Sequence, residues 1–290
     1  MLFRARLGTM KRSAAGPRPQ RVASFDASGK FGSPGPGVSA APGDRARSGC
    51  DGSGNVTNPL AGHLAVILCG VALTLSALAA DNELTEAERK QGWLLLFDGK
   101  TTSGWMTSAG QPSKTPVEQG SLNPHHSGHY MLVHTQQWSN FLLSLDFKIS
   151  QGCNSGIFVH TASLTPRPGK DVGFNGIEIA IDDTPGAGYH DTGAIYDLVK
   201  PTKQAMKPVG QWNHIEIACI TNRIEVVLNG EPVTRADLNL FVEPNKRPDG
   251  TTHKFDIAYK NHPQRGYLGL QDHGSPCWFK NIKLRPIPDP

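Results

Sequence analysis

The 290-residue sequence contains little cysteine, and its thiols follow no metal-binding pattern. Only five cysteines are present, and Cys153, Cys219 and Cys277 are the three beyond residue 80. Their spacings of 66 and 58 residues match no zinc motif. Three thiols allow at most one internal disulfide, and each can equally be a small buried apolar residue.

Motifs of several large enzyme classes are also missing. The sequence has no G-x-S-x-G, H-E-x-x-H or P-loop motif, and no dinucleotide fingerprint after a strand. Its composition excludes collagen, a coiled coil and a polytopic membrane protein. Residues 81–290 carry 20 basic and 22 acidic residues, so this part is mildly acidic. We therefore expect no nucleic-acid partner.

The first 59 residues are basic and poor in apolar sequence. They contain nine Lys or Arg against three Asp, and 23 of the 59 positions are Gly, Pro or Ser. Such a segment buries too little apolar surface to offset the entropy of ordering. We interpret residues 1–59 as a disordered basic extension, or as sequence upstream of the true start codon.

The next segment, residues 60–80, has no charged residue and ends in Ala77-Leu78-Ala79-Ala80. An apolar run, small residues and then a polar start at Asp81 are typical of a secretory signal peptide. Twenty-one uncharged residues could also form a membrane anchor. We expect a periplasmic or secreted bacterial protein, bound to a membrane only if residues 60–80 stay uncleaved.

Residues 81–290 are dominated by strand patterns. Leu84–Lys90 is predicted as a short helix capped by Thr85. Alternation then indicates strands at 141–149, 215–219 and 224–228, joined by turns at Thr221-Asn222 and Asn229-Gly230. Further strands are expected near 93–97, 129–134, 156–161, 176–182, 266–271 and 277–285. Stretches 162–175, 183–192, 198–211 and 231–254 are interpreted as connections. About ten strands without a βαβ rhythm predict an all-β antiparallel sandwich of jelly-roll type.

The strand at 177–182 places its isoleucines on one face and Glu178, Ala180 and Asp182 on the other. Such a face suits a sugar-binding cleft, and the alternative is an ordinary solvated surface. Four residues on a strand separate Glu178 from Asp182 by about 13 Å. Glycosidases place their two carboxyl groups ~5–9.5 Å apart, so a dyad of these two residues is excluded. Position 180, where a third carboxylate could stand, is alanine.

Two other segments hold candidate site residues. Alternation groups Tyr267, Gly269, Gln271 and His273, and a histidine at a strand end can act as an acid or base. The strand Asn154–His160 carries the polar residues Asn154, Ser155 and His160.

Metal binding is only weakly indicated. Asp182, Asp183 and Asp191 could ligate Ca²⁺, but their spacing is not that of an EF-hand. We expect these aspartates to cap loops, and no metal or other cofactor is predicted. The five tryptophans all lie beyond residue 80, and core packing is the expected role of most of them.

Seven segments in order resemble one known family. They are Leu96–Lys100 with Gly104-Trp105, Asn154–Phe158, Gly176–Asp182, Thr192–Tyr196, Gly210–Asn213, Leu228–Gly230, and Gly269–Gly274 with Phe279–Ile282. Together they resemble the bacterial 3-keto-disaccharide hydrolase family, also described as 3-keto-glucoside-1,2-lyase / 3-keto-2-hydroxy-glucal hydratase. The resemblance runs from about Gly92 to Leu284 and implies a concanavalin A-like jelly roll. It also implies export and glycoside substrates oxidised to a ketone at C3.

The resemblance implies elimination at C1 after proton removal at C2, followed by hydration. Glu178 or His273 would be the base and the other residue the acid. The expected substrate-binding residues are Asn154, Ser155, His160, Asp182, Tyr196 and Gln271.

The chain departs from the family pattern at two positions. Relatives often carry Gln where Ala180 stands and Arg where His160 stands. This keeps two alternatives open: a non-catalytic, lectin-like carbohydrate-binding module, and a structural domain of a surface assembly.

Overall fold

A computed structural model of the chain describes residues 80–183 and 188–289. The predicted basic extension and nearly all of the predicted signal or anchor segment lie outside these residues. Within the described ranges, none of the helices has the length and apolar character needed to span a membrane.

The short helix predicted at Leu84–Lys90 is confirmed as α1 (Glu86–Lys90). Thr85 is its N-cap, and the Thr85 Oγ1 accepts a hydrogen bond from the Glu88 N–H at 3.1 Å. The Glu88 carboxylate accepts in return from the Thr85 N–H at 2.7 Å. This capping box satisfies backbone donors that a five-residue helix leaves open. Glu88 also pairs with Lys283 at 2.7 Å, which ties the start of the domain to its last strand.

Strands account for most of the regular structure. They are β1 (Leu94–Leu95), β2 (Trp105–Thr107), β3 (Val117–Glu118), β4 (Ser121–Leu122), β5 (Met131–Trp138), β6 (Phe141–Ile149), β7 (Asn154–Thr161), β8 (Ile177–Asp182), β9 (Asn213–Ile220), β10 (Arg223–Leu228), β11 (Glu231–Asp237), β12 (Gly266–Gln271) and β13 (Cys277–Pro286). Three short 3₁₀ turns lie between them at Val172–Asn175, Leu238–Leu240 and Tyr259–Asn261.

The strands form two antiparallel sheets, as predicted. The eight-stranded sheet has the order β11-β10-β9-β6-β13-β4-β3, with β1 paired to β13. The five-stranded sheet has the order β2-β5-β12-β7-β8. Neighbours in these orders are often distant in sequence, which is the connectivity of a concanavalin A-like jelly-roll sandwich.

The apolar core lies between the two sheets. Every second residue of β6, from Phe141 to Ile149, is at most 2% exposed, while Ser144, Asp146 and Lys148 point to the solvent side. Burial of each such large apolar side chain contributes about 1.5–3 kcal/mol. The alternation in the sequence therefore fixes which face of this central strand is covered.

Both predicted hairpin turns are confirmed. Thr221-Asn222 joins β9 to β10, and Asn229-Gly230 joins β10 to β11. Asn229 and Gly230 both have positive φ, at 52° and 80°, as a type I′ turn requires.

The interpretation of 231–254 as a connection was wrong, because its first seven residues are strand β11. β11 is an edge strand, so Pro232 costs it no central ladder hydrogen bond. The register also shifts between Val226 and Val227 of its partner, which interrupts the pairing. The proline and this irregularity concealed the strand in the sequence.

The three thiols beyond residue 80 are free and buried. Cys153 and Cys277 hydrogen-bond to each other, and burial raises the pKa of the Cys219 thiol. These cysteines therefore serve as small packed residues, which was one of the two roles expected.

Candidate active site

Strand β8 presents a carboxylate on the outward surface of the five-stranded sheet. Its isoleucines are at most 1% exposed and join the core, so Glu178, Ala180 and Asp182 lie on the opposite side. This confirms the two faces predicted from the alternation. We call this outward surface of the five-stranded sheet the front face.

The neighbouring strands complete the front face. Across β7, the register partners of Glu178, Ala180 and Asp182 are Phe158, Gly156 and Asn154. On β12, Gly269 pairs with Phe158, and Gln271 follows two residues later on the same side. The front face therefore has small residues at its centre and polar groups around them.

Gly156 makes room for the Glu178 carboxyl group. A Cβ atom at position 156 would lie 2.8 Å from both Cγ and Oε1 of Glu178. Real Cβ atoms essentially never approach other atoms so closely, so any other residue there would displace the carboxylate. The glycine thus fixes where the acid can lie against the sheet.

The pKa of Glu178 is raised from 4.5 to about 8, mainly because burial removes water from the carboxylate. The ammonium of Lys254 opposes the rise in pKa, and the charge of Asp171 adds to it. Among the described residues, no side chain donates a hydrogen bond to this carboxylate. Glu178 is therefore a strong potential base that holds its proton at neutral pH.

Tyr196 and Lys254 flank Glu178. The Tyr196 N–H donates to the Glu178 carbonyl at 2.9 Å, and the tyrosine ring stacks on His190 at 4.4 Å. The Lys254 ammonium lies 4.2 Å from the centre of the Tyr196 ring. Burial and the nearby charge of Glu178 raise the pKa of Tyr196, so its hydroxyl remains a donor. Tyr196, predicted as a substrate-binding residue, thus lies beside the candidate base.

Tyr130 and Gln271 form a second pair of polar residues near Glu178. Gln271 is buried, and its Nε2 donates to the Tyr130 hydroxyl at 3.0 Å. The same hydroxyl lies against Gly173, where an added Cβ would approach within 2.4 Å. Burial raises the pKa of Tyr130 above its usual range, and the charge of Glu178 contributes. Gln271 therefore positions a second protonated phenol near Glu178.

His273 lies at the rim of the front face. It is exposed in the loop that follows β12. The Asp272 N–H donates to the Tyr130 carbonyl at 2.9 Å, and the Ser275 Oγ accepts from the Asn154 N–H at 3.0 Å. These two attachments hold the His273 loop between Tyr130 and the start of β7.

Two predicted binding residues lie away from the front face. Ser155 pairs with the core residue Ile181, and its hydroxyl donates to the Gln271 carbonyl at 2.9 Å. Ser155 therefore holds β12 in place from the core side of the sheet.

His160 has a positive φ of 50° and lies where the register between β7 and β12 shifts. Its Nε2 is 2.7 Å from the Ser139 carbonyl, and its ring packs edge-on against Phe141. Burial lowers the pKa of His160 to about 4, so it is a neutral packing residue. The register shift interrupts the alternation of β7, so His160 does not continue the row of Asn154, Gly156 and Phe158 on the front face.

Asn154 and Asp182 mark the far end of the front face, where they are register partners. The Asp182 backbone N–H donates to the Thr192 hydroxyl at 2.9 Å. Because β8 is continuous from Ile177 to Asp182, the spacing of about 13 Å from Glu178 stands. These two carboxylates remain too far apart for a glycosidase pair.

The neighbouring aspartates have structural partners. The Asp183 carboxylate accepts from the Gly152 N–H at 2.7 Å, and Asp191 accepts from the Gln204 amide at 2.7 Å. Both contacts join separate loops, which agrees with the expected loop-capping role. In the part of the chain that the structure describes, no three His, Cys, Asp or Glu side chains are grouped to hold a metal ion.

Sequence reasoning missed Tyr130, Asp171 and Lys254. Lys254 lies in the 231–254 stretch, and Asp171 lies in the 162–175 stretch, both interpreted as connections. Tyr130 immediately precedes β5, where alternation gives no functional signal. Only the tertiary structure brings these loops to Glu178.

Comparison with known proteins gives one consistent result. The 3-keto-alpha-glucoside-1,2-lyase-like domain matches residues 92–285. A 3-keto-disaccharide hydrolase of Bacteroides thetaiotaomicron is 28% identical over 229 residues, covering 67% of this chain and 78% of the relative.

Solved structures agree with this match. A candidate glycosyl hydrolase from Parabacteroides distasonis has a TM-score of 0.54 at 29% identity, covering 67% of this chain and 98% of that one. A second such structure from the same organism has a TM-score of 0.56 at 25% identity, covering 71% and 99%. The match to the family covers well over half of the chain and includes every front-face residue described above, and the chain therefore belongs to the carbohydrate-active family of 3-keto-alpha-glucoside-1,2-lyase-like domains.

Proposed function

We propose that this protein cleaves 3-keto-glycosides by removing the C2 proton, expelling the C1 substituent and adding water. The observation that carries the proposal is Glu178, a carboxylate of raised pKa with no second carboxylate on its own strand at glycosidase spacing. The relative from Bacteroides thetaiotaomicron bears the name 3-keto-disaccharide hydrolase, which fits this substrate class.

A single base suffices because a ketone at C3 acidifies the C2 proton. The Glu178 carboxylate takes that proton, and the C–H electron pair forms the C2=C3 bond of an enolate. When the enolate collapses, C3=O re-forms, C1=C2 forms and the C1–O bond breaks. The leaving oxygen takes a proton. Water then adds its hydroxyl to C1 and a proton to C2, so the net reaction is hydrolysis.

The raised pKa of Glu178 suits this first step. A carboxylate with a pKa of about 8 is a much stronger base than one at 4.5, and it is still partly ionised near neutral pH. Removing a proton from carbon needs such a base. Among the described residues, no cationic side chain forms an ion pair with Glu178, although the charge of Lys254 partly lowers its pKa.

Donors for the enolate oxygen are available around the same carboxylate. The Lys254 ammonium carries a positive charge, and the hydroxyls of Tyr130 and Tyr196 stay protonated because their pKa values are raised. Preorganised donors of this kind stabilise a developing oxyanion strongly when water is excluded. We assign the C3 oxygen to this side of the site.

His273 is the proposed acid for the leaving oxygen. An imidazole can donate a proton near neutral pH, and the exposed loop at the rim suits a leaving group that must depart into solvent. Gly156 and Ala180 put no bulky side chain at the centre of the front face, and the space at Gly156 is taken by the Glu178 carboxyl group.

The proposal includes export. The apolar run and the small residues before Asp81 support a cleaved signal peptide, with a membrane anchor as the alternative. Expression of the full chain in a bacterium, followed by N-terminal sequencing of the periplasmic fraction, tests this. A mature start at or near Asp81 is expected, and an uncleaved cytoplasmic chain would refute export.

The activity test compares a 3-keto-glucoside with the same glucoside unoxidised, in D₂O, by NMR and mass spectrometry. Cleavage of the keto form alone, with deuterium at C2 of the product, is expected. Glu178→Gln should abolish it, whereas the matched control Glu216→Gln, on the other sheet, should not.

Two other results would refute the proposal. Cleavage of the unoxidised glycoside would indicate ordinary hydrolysis by Glu178 with another carboxylate, for which Asp171, whose charge acts on Glu178, is the candidate. Saturable binding of the sugar without turnover would support the lectin-like alternative.

A further inference from the structure

The outward face of the eight-stranded sheet carries a concave surface, on the opposite side of the sandwich from Glu178. It is a groove of about 500 Å³ lined mainly by Glu118, Gln119, Lys148, Trp212, Trp278 and Lys280. This volume is in the range of small-molecule sites. The proposed reaction uses none of these residues.

Two tryptophans and a lysine form a row across the strands of this groove. Trp278 on β13 is the register partner of Lys148 on β6. Trp212 immediately precedes Asn213, which pairs with Phe147 next to Lys148. The Lys148 ammonium is 4.8 Å from the Trp278 ring centre and 5.0 Å from that of Trp212.

The spacing of this row suits a chain of sugar rings. Two steps between neighbouring strands separate the backbones of the tryptophans by about 10 Å, and because both ring centres lie within 5.0 Å of the Lys148 ammonium, the rings are no farther apart than this. That distance is close to the length of a disaccharide unit, so two indoles can contact alternate rings of one oligosaccharide. Tryptophan offers an apolar face for the C–H side of a sugar.

The polar groups around the row are balanced in charge. The Trp278 indole N–H donates to the Glu118 carboxylate at 2.7 Å, and Lys280 forms an ion pair with Asp81 at 2.5 Å. Lys148 contacts the two rings, and no carboxylate among the described residues lies within ion-pair distance of it. Two lysines thus face two acids, and the groove offers both donors and acceptors.

We propose that this groove is a second binding site, for a neutral oligosaccharide. Paired indole surfaces with adjacent ammonium and carboxylate groups suit a ligand that is apolar on its ring faces and hydroxylated at its edges. The balanced charge gives no preference for an acidic saccharide. Such a site would hold a sugar chain at the opposite side of the domain from the reaction.

The test is an NMR titration of the full chain with ¹⁵N-indole-labelled tryptophan. Cellopentaose is the neutral probe, and pentagalacturonate is the acidic one. Of the five indole signals, only those of Trp212 and Trp278 should move with cellopentaose, with a Kd of about 1 mM. The same shifts should persist in Glu178→Gln, which separates this site from the front face.

Variants then assign the site. Trp212→Ala should weaken cellopentaose binding about tenfold or more, and Lys148→Met, which keeps an apolar stem, should weaken it less. Trp93→Ala is the matched control and should bind like the unmodified chain. Thermal unfolding checks that each variant is folded.

Three outcomes would overturn the proposal. They are no shift of either indole at about 10 mM cellopentaose, undiminished binding by a folded Trp212→Ala variant, and binding of pentagalacturonate alone. None of them bears on the 3-keto-glycoside reaction, which is measured separately through deuterium at C2.

Discussion

The charges around Glu178 allow its role as a base to be tested by pH. If Glu178 removes the C2 proton, kcat/KM should rise with pH and level off above an apparent pKa near 8, the value that burial gives this carboxyl group. With that pKa, about one carboxylate in ten is ionised at pH 7. The rate at pH 7 should therefore be about one tenth of the alkaline plateau, and it should fall about tenfold more at pH 6.

The charges of two neighbouring residues should shift the rising limb of this pH profile in opposite directions. Lys254 lowers the pKa of Glu178, so Lys254→Met should move the limb to higher pH. Asp171 raises that pKa, so Asp171→Asn should move the limb to lower pH. The asparagine can still accept from the Gly173 N–H, so the 3₁₀ turn keeps its cap.

The assay is the initial rate of 3-keto-glucoside cleavage between pH 5.5 and 9.5, with C2 deuterium exchange as a second readout of the proton transfer. A loss of maximal rate in Lys254→Met is also expected, because the ammonium is a proposed enolate donor. The two effects are separable, because the lost charge moves the limb along the pH axis, whereas the lost donor lowers the plateau rate. A profile that is flat across this range, or limbs that do not move in either variant, would refute Glu178 as the titrating base.

Three further predictions concern Glu178, its neighbour Gly156, and His214 on the eight-stranded sheet. Glu178→Gln should stabilise the fold at pH 9, by up to a few kcal/mol, and have little effect at pH 4. The reason is that the folded state holds the Glu178 proton up to about pH 8 and the unfolded state only up to about 4.5, so the free energy of unfolding falls as pH rises between these values. An equal effect of the substitution on thermal unfolding at both pH values would contradict this. Gly156→Ala should stay folded but lose about tenfold to a hundredfold in kcat/KM, because the added Cβ would displace the Glu178 carboxylate. Unchanged kinetics would show that the position of the carboxylate is not critical. The hydrogen bond that His214 donates to the Asp146 carboxylate raises the pKa of His214 to about 9. The stabilising effect of this bond is therefore full below about pH 6.5 and lost as pH rises through 9. His214→Asn should reduce the melting temperature at pH 6 but not at pH 10, and a constant difference would contradict the assignment.

The fold could be predicted because its signals are local. Alternation in β6 and β8 follows from the pleat of a strand, and Asn229-Gly230 specifies a tight hairpin by its backbone preference alone. Edge strand β11 was missed because a proline and a register shift remove that local pattern. Such features depend on the partner strand, which the sequence does not show.

The site could be predicted only in part. Glu178 was found because alternation brings a carboxylate to a surface, whereas its raised pKa depends on burial by distant loops. Tyr130 and Lys254 come from segments far from Glu178 in the chain, and no spacing connects them. His160 was predicted as a binding residue because it ends a strand segment with polar residues, and no local pattern in the sequence indicates the bulge at this position.

The residue at position 180 bears on which chemistry strand β8 can support. Residue 180 lies two positions from Glu178 on the same side of β8, hence about 6.6 Å away along the strand. A carboxylate there would fall within the spacing of an inverting glycosidase. Ala180 leaves that position without charge, so Glu178 has no carboxylate partner two residues away on its strand, and burial, together with the charge of Asp171, raises its pKa. An unpaired strong base is of little use against an ordinary acetal, but it is what a C2 proton next to a ketone requires.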